Sequence, residues 1–171
     1  EVDSSNVAVK WPTLFEAPLA FDWIKAQVAW TYAAGRPQVD LQRLRRQVAF
    51  DRFLCRLFLA ATDTWVLKGG YAMELRIASA RTTKDIDLTL RRPPGSREKD
   101  NAGDPILDRL QEATAADLGD GFSFLVGVAT MDLEGAPYGG ARYPVDARMD
   151  GRTFIRLHLD AVSSDHIPDP V

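Results

Sequence analysis

Apolar residues recur at helical spacing in two stretches near the start of the chain. The first runs from roughly Thr13 to Ala34 and stops at Gly35-Arg36-Pro37; the second runs from Asp40, a candidate N-cap, to Ala61. In the second, Leu41, Leu44, Val48, Cys55 and Leu59 fall near one face, while Arg45, Arg52 and Arg56 line another. Such a row is either the solvated side of a docked helix, the commoner case, or a set of phosphate contacts. After residue 64 the period changes. Trp65-Val66-Leu67 is a short apolar run, Gly69-Gly70 breaks it, and YAMELRIA returns to helical spacing, so the unit reads strand, glycine turn, helix.

Asp85 to Leu90 alternates cleanly and predicts a second strand. The loop RRPPGSREKDNAGDP follows, then a helix near Pro105 to Leu118 with Asp104 as N-cap and Pro105 in its first turn. Three further strands are expected over Phe122–Met131, Arg142–Met149 and Arg152–Val162, the last two joined by an Asp150-Gly151 hairpin turn that needs positive φ. Pro144 implies that its strand lacks a ladder partner on one side. The pattern as a whole predicts an α/β fold of the α+β type: a small mixed sheet of four or five strands, with the Asp85 and Asp160 strands adjacent and helices on one face and at the N-terminal end. With no internal repeat, one domain over residues 1–171 is expected, helical over 1–62 and α/β over 63–171.

Composition changes this picture little. The 171 residues are 46% apolar and 26% charged, as in an ordinary globular protein. No apolar run of membrane-spanning length and no signal-peptide pattern occurs, so a soluble cytoplasmic protein without membrane contact is expected. The single cysteine, Cys55, reads as a buried small hydrophobe. The net charge of -3 is uneven: residues 1–92 carry 14 Lys/Arg against 10 Asp/Glu, and residues 93–171 carry 7 against 14. That asymmetry fits solvated helix faces at least as well as a nucleic-acid surface. Glu1 at the start and the Pro-containing end HIPDPV fit a piece of a longer product.

The candidate chemistry centres on Asp85-Ile86-Asp87-Leu88. Strand alternation sends both carboxylates to one face and Ile86, Leu88 and Leu90 to the other. Two like charges this close repel, and hard carboxylate oxygens suit Mg²⁺ or Mn²⁺ rather than Zn²⁺. A bare Asp-x-Asp is more often just an acidic outer face, but Leu67-Lys68-Gly69-Gly70 puts a glycine turn and a helix N-terminus beside it. That turn can accept a phosphate through close backbone N–H groups, and Lys68 can add a point charge.

The stretch LKGGYAMELRIASARTTKDIDL, residues 67–88, resembles the Gly-Gly, helix, R-x-T-x-D-h-D-h pattern of polymerase-β-like nucleotidyltransferases, and most of all the AbiEii/AbiGii toxin family, MenT-like toxins among them. Arg81, Thr83, Asp85 and Asp87 stand on its motif positions. IRLHLDAVSSD is similar to the family's later strand, which makes Asp160 the third carboxylate. The resemblance covers about 100 residues from Trp65 onward. It implies metal ligands and catalytic carboxylates at Asp85, Asp87 and Asp160, nucleotide contacts at Lys68, Gly69, Gly70, Arg81 and Thr83, and an NTP as substrate. His158 and Arg156 share the strand face of Asp160 and can reach substrate or simply solvent. Family members usually continue past the third carboxylate into a helical region with a lysine and another aspartate, which does not follow here; a core without that region is expected.

The resulting expectation is a metal-dependent toxin of a toxin–antitoxin pair. It would transfer NMP from an NTP to an RNA acceptor, the tRNA 3′ end by resemblance, so that translation is blocked, and its partner would be an antitoxin protein. The Arg43/Arg45/Arg46 cluster with Arg52 and Arg56 offers RNA phosphate contacts. Two alternatives stand beside it: a catalytically silent module of the same fold, and a nucleotidyltransferase acting on a small molecule such as an antibiotic. Thr82 and Thr83 are candidate sites of a silencing modification.

Overall fold

The computed structural model describes residues 41–60, 64–76, 83–91, 104–134 and 139–164. In chain order these form α1 (Leu41–Ala60), β1 (Trp65–Lys68), α2 (Gly69–Arg76), β2 (Asp85–Arg91), α3 (Pro105–Thr114), β3 (Phe122–Val126), β4 (Met131–Asp132), β5 (Gly140–Met149) and β6 (Arg152–Ser164). The expected helix over residues 13–34, the Asp40 cap, the loop after Arg91, Arg81 and Thr82 lie outside the described residues.

All six strands form one sheet of order β1-β2-β6-β5-β3, with β4 also on β5. Among the described residues that is one strand more than the five read from the sequence, because the stretch from Phe122 to Met131 is not a single strand. β3 ends at Val126, the Gly127 N–H donates to the Pro144 carbonyl at 2.9 Å, and pairing resumes only at β4. In a strand the N and O of one residue point the same way, so the N–H that Pro144 lacks would fall in this gap. The sheet is mixed: β2 and β6 run parallel, and every other pair is antiparallel.

One face of the sheet is apolar. Ile86, Leu88 and Leu90 of β2, Ala141, Tyr143, Val145 and Ala147 of β5, and Leu157, Leu159 and Ala161 of β6 are buried in alternation. Helices α1 and α3 pack on this face. α3 starts where expected: Asp104 accepts the Ile106 and Leu107 N–H groups at 3.1 Å each, with Pro105 in the first turn. The Tyr143 hydroxyl donates to the same carboxylate, which ties the cap to β5. α3 ends at Thr114 rather than Leu118. The Ala116 carbonyl accepts from Arg56 Nε, and Asp117 closes an Asx turn onto the Gly119 N–H.

The arginines of α1 depart most from expectation. Every residue from Val48 to Leu57 is buried, Arg52 and Arg56 included. All five N–H groups of Arg56 are used: two reach Asp120, and the others reach the carbonyls of Arg52, Ala116 and Phe122. Arg52 pairs with Asp51 at 2.7 Å and approaches Asp120 at 3.7 Å, so two guanidiniums and two carboxylates make a neutral buried cluster. Arg45 stacks over the Phe154 ring. Arg52 and Arg56 are therefore neither a wet face nor a phosphate surface and are unavailable to RNA, while Arg45 stays partly exposed. Cys55 is buried as expected, and that burial pushes its thiol up to about 11.

Candidate active site

Opposite the apolar face, β1, β2, β6 and β5 carry polar side chains, and the strand register lines them up. Lys68 pairs with Asp87, Asp87 with Asp160, and Asp160 with Arg142, giving one transverse row of alternate strand positions on a single face. Asp85 stands in the next row beside His158. The order across the sheet is cation, carboxylate, carboxylate, cation. Asp85, Asp87, Asp160 and Lys68 are thus brought to one place, although 75 positions of chain separate Asp85 from Asp160.

The Gly-Gly turn meets this row at Asp87. Gly69 has φ +67°, and a Cβ there would overlap the Asp87 carboxylate; a Cβ on Gly70 would come within 2.9 Å of Thr83 Cβ. Glycine is needed at both places so that the start of α2 can lie directly on the aspartate. The Gly70 backbone N–H donates to the Asp87 carboxylate. Asp87 titrates above the ordinary carboxylate range: burial is the largest cause, followed by the charge of Asp160, with Asp85 adding and the Gly70 N–H and Lys68 opposing.

Thr83 sits at the entrance to β2 with its hydroxyl on the backbone of Asp85, donating to the carbonyl at 3.2 Å, and its own N–H donates to Glu74 at 3.3 Å. Glu74 also accepts from Arg43 and Gln47 of α1, so α2 and the approach to β2 are fixed to α1 through one carboxylate. Its part was not visible in the sequence, where YAMELR reads only as a helix. His158 is more than half exposed, with Nδ1 3.9 Å from Asp85. Arg156 pairs in register with Asp146, further along the same face.

Sequence reasoning also missed Arg142. Its Nε lies 2.7 Å from one Asp160 oxygen and its Nη2 2.7 Å from the other, and Nη2 is 3.8 Å from Asp85. The Asp150-Gly151 turn is present, with φ of 50° and 75°. Counting back along a regular hairpin from that turn would set Arg142 opposite Leu159. A bulge between Ala147 and Arg148 adds Phe154 to β6 and moves Arg142 opposite Asp160 instead. Phe154 is anchored edge-on against Phe122 at 5.2 Å, a contact that no local pattern announces.

For a divalent cation the donor chemistry is suitable in part. Asp85 and Asp87 supply hard oxygens on one face. Both oxygens of Asp160, however, are held by Arg142, and among the described residues no group of three or more His, Cys, Asp or Glu converges tightly enough to hold a metal ion. No helix among the described residues is long and apolar enough to cross a membrane.

Among solved structures, that of JHP933 from Helicobacter pylori is similar to the chain, with 18% identity and a TM-score of 0.47; the match covers 77% of this chain and 48% of that one. The chain thus spans about half the length of the structure it matches. No curated protein matches the sequence. The family model described as the nucleotidyl transferase AbiEii toxin of type IV toxin–antitoxin systems matches residues 52–171, well over half of the chain. On that match, with the Gly-Gly turn seated on the first of two paired acidic strands, the chain belongs to the AbiEii nucleotidyl transferase toxin family.

Proposed function

We propose that the protein transfers a nucleoside monophosphate from an NTP to a hydroxyl of an RNA acceptor, the tRNA 3′ end, and so acts as the toxin of a toxin–antitoxin pair. The observation that carries this reading is the register of Asp87 with Asp160 on adjacent parallel strands, under the N-terminus of α2. Asp85 and Asp87 would hold Mg²⁺ or Mn²⁺, with Asp160 as the third ligand. When bound, the ion supplies neutralisation of the triphosphate charge. The chain's own work is positioning. Lys68 lies beside Asp87 and faces incoming phosphate, and the start of α2 favours anionic oxygens. Arg81 and Thr83 complete the nucleotide contacts. The acceptor hydroxyl gives its proton to a carboxylate of the row, Asp160 in this reading, while its oxygen bonds to the α-phosphorus and pyrophosphate leaves. The antitoxin partner is supported by membership of a toxin–antitoxin family, and the tRNA acceptor is carried by the resemblance of residues 67–88 and of the Asp160 strand.

Purified tRNA incubated with each of four labelled NTPs and Mg²⁺ should take up label from at least one, and Asp87→Asn should abolish it. Absence of label from all four with active protein would count against the reading. A catalytically silent module is favoured by one observation, the capture of Asp160 by Arg142. That alternative expects Asp85→Ala to leave growth inhibition intact, whereas the enzyme reading expects inhibition to disappear.

A further inference from the structure

Arg142 stands where the carboxylate row needs positive charge. Its fork takes both oxygens of Asp160, and Nη2, between the two residues, is also 3.8 Å from Asp85. Paired in this bidentate way, a guanidinium relieves the repulsion among Asp85, Asp87 and Asp160 that a divalent cation would otherwise relieve. It is held from two sides: the Phe154 bulge sets its register, and β4 flanks it, with the Thr130 N–H and hydroxyl on its carbonyl. A cation shared by Asp160 and Asp85 and this guanidinium therefore compete for one position.

We propose that Arg142 is a resident counter-cation of the site, and that a divalent ion must displace its guanidinium from between Asp160 and Asp85 to reach the third carboxylate. The proposal rests on the reading of these aspartates as metal ligands. It makes Arg142 a positioning residue that weakens metal binding, opposite in sign to a residue that merely holds the fold together.

The test is a titration of Mn²⁺ alone into the 171-residue chain, with free Mn²⁺ read by electron paramagnetic resonance and folding checked by circular dichroism. Arg142→Gln should bind Mn²⁺ about fivefold more tightly than wild type, the fold-change that matches loss of a partly exposed ion pair. Arg142→Lys keeps the charge but loses the fork, so it should fall between them; it decides the matter if the glutamine variant does not fold. Adding Asp85→Asn to either variant should remove the binding. Equal or weaker binding by the Arg142 variants, with wild type binding, overturns the role of Arg142 and leaves the metal site standing. Binding that survives Asp85→Asn, or no binding by any form, overturns the proposal together with the metal reading beneath it.

Discussion

Gly69 meets two constraints at once, a φ of +67° and the Asp87 carboxylate where a side chain would begin. Gly69→Ala is expected to cost about 1–3 kcal/mol in urea unfolding, and to reduce labelled-NMP transfer further still because Asp87 must move. A variant with unchanged stability and transfer would show that the start of α2 is not set by this contact. The sequence marked Gly69 as a phosphate-approach residue; the structure adds that the first anionic group it admits is the protein's own. Cys55 offers a check of the core. Burial raises its thiol from 9.0 to about 11, so the stability it contributes is present below pH 9 and lost as pH rises through 11. Wild type should therefore lose at most about 3 kcal/mol relative to Cys55→Ala between pH 8 and pH 11. A constant difference in unfolding free energy would mean that the thiol is accessible.

At the level of elements, α1 is joined to the segment leading into β3 through Arg56 and Asp120, whose shortest contact is 2.6 Å and whose side chains are both fully buried. Removing one partner leaves a buried charge uncompensated, so Arg56→Met should destabilise by about 3–5 kcal/mol, measured by urea denaturation. The double change Arg56→Met/Asp120→Asn should recover a substantial part of that, and no recovery would show the pair is not coupled. This contact also shows where sequence reading stopped. Apart from β4, the order of the described helices and strands, the alternation of Asp85 to Leu90, the Asp104 cap and the Asp150-Gly151 turn are local patterns, and each was legible. The burial of Arg52 and Arg56 depends on Asp120, far along the chain, and helical periodicity cannot distinguish a cation facing water from one facing a distant carboxylate. Arg142 was hidden for a related reason. One extra residue in a hairpin reverses which face every later side chain takes, and nothing in RTFIRLHLD marks Phe154 as that residue.

Across the whole molecule, the polar face carries three carboxylates against Lys68 and Arg142 in a small area, and burial of Asp87 makes that charge costly. A cation that binds the native state but not the unfolded chain should raise the melting temperature. Mg²⁺ at one hundred times its dissociation constant corresponds to about 2.7 kcal/mol. Asp85→Asn/Asp87→Asn should abolish that response while melting no lower than metal-free wild type, since its repulsion is gone. A wild-type melting curve indifferent to Mg²⁺ would sink the metal assignment.

The parallel pairing of β2 with β6 has a further consequence in time. Antiparallel neighbours can pair as soon as a turn is made, but these two strands must wait for the whole intervening chain, including α3 and the β5 hairpin arm. During synthesis Asp85 and Asp87 therefore emerge on an unfinished sheet, and the row reaches Asp160 and Arg142 only after β6 has left the ribosome. A chain on which β6 has not yet emerged carries only Lys68 and Asp87 as paired positions of the row, so the row is completed only once β6 has docked on β2.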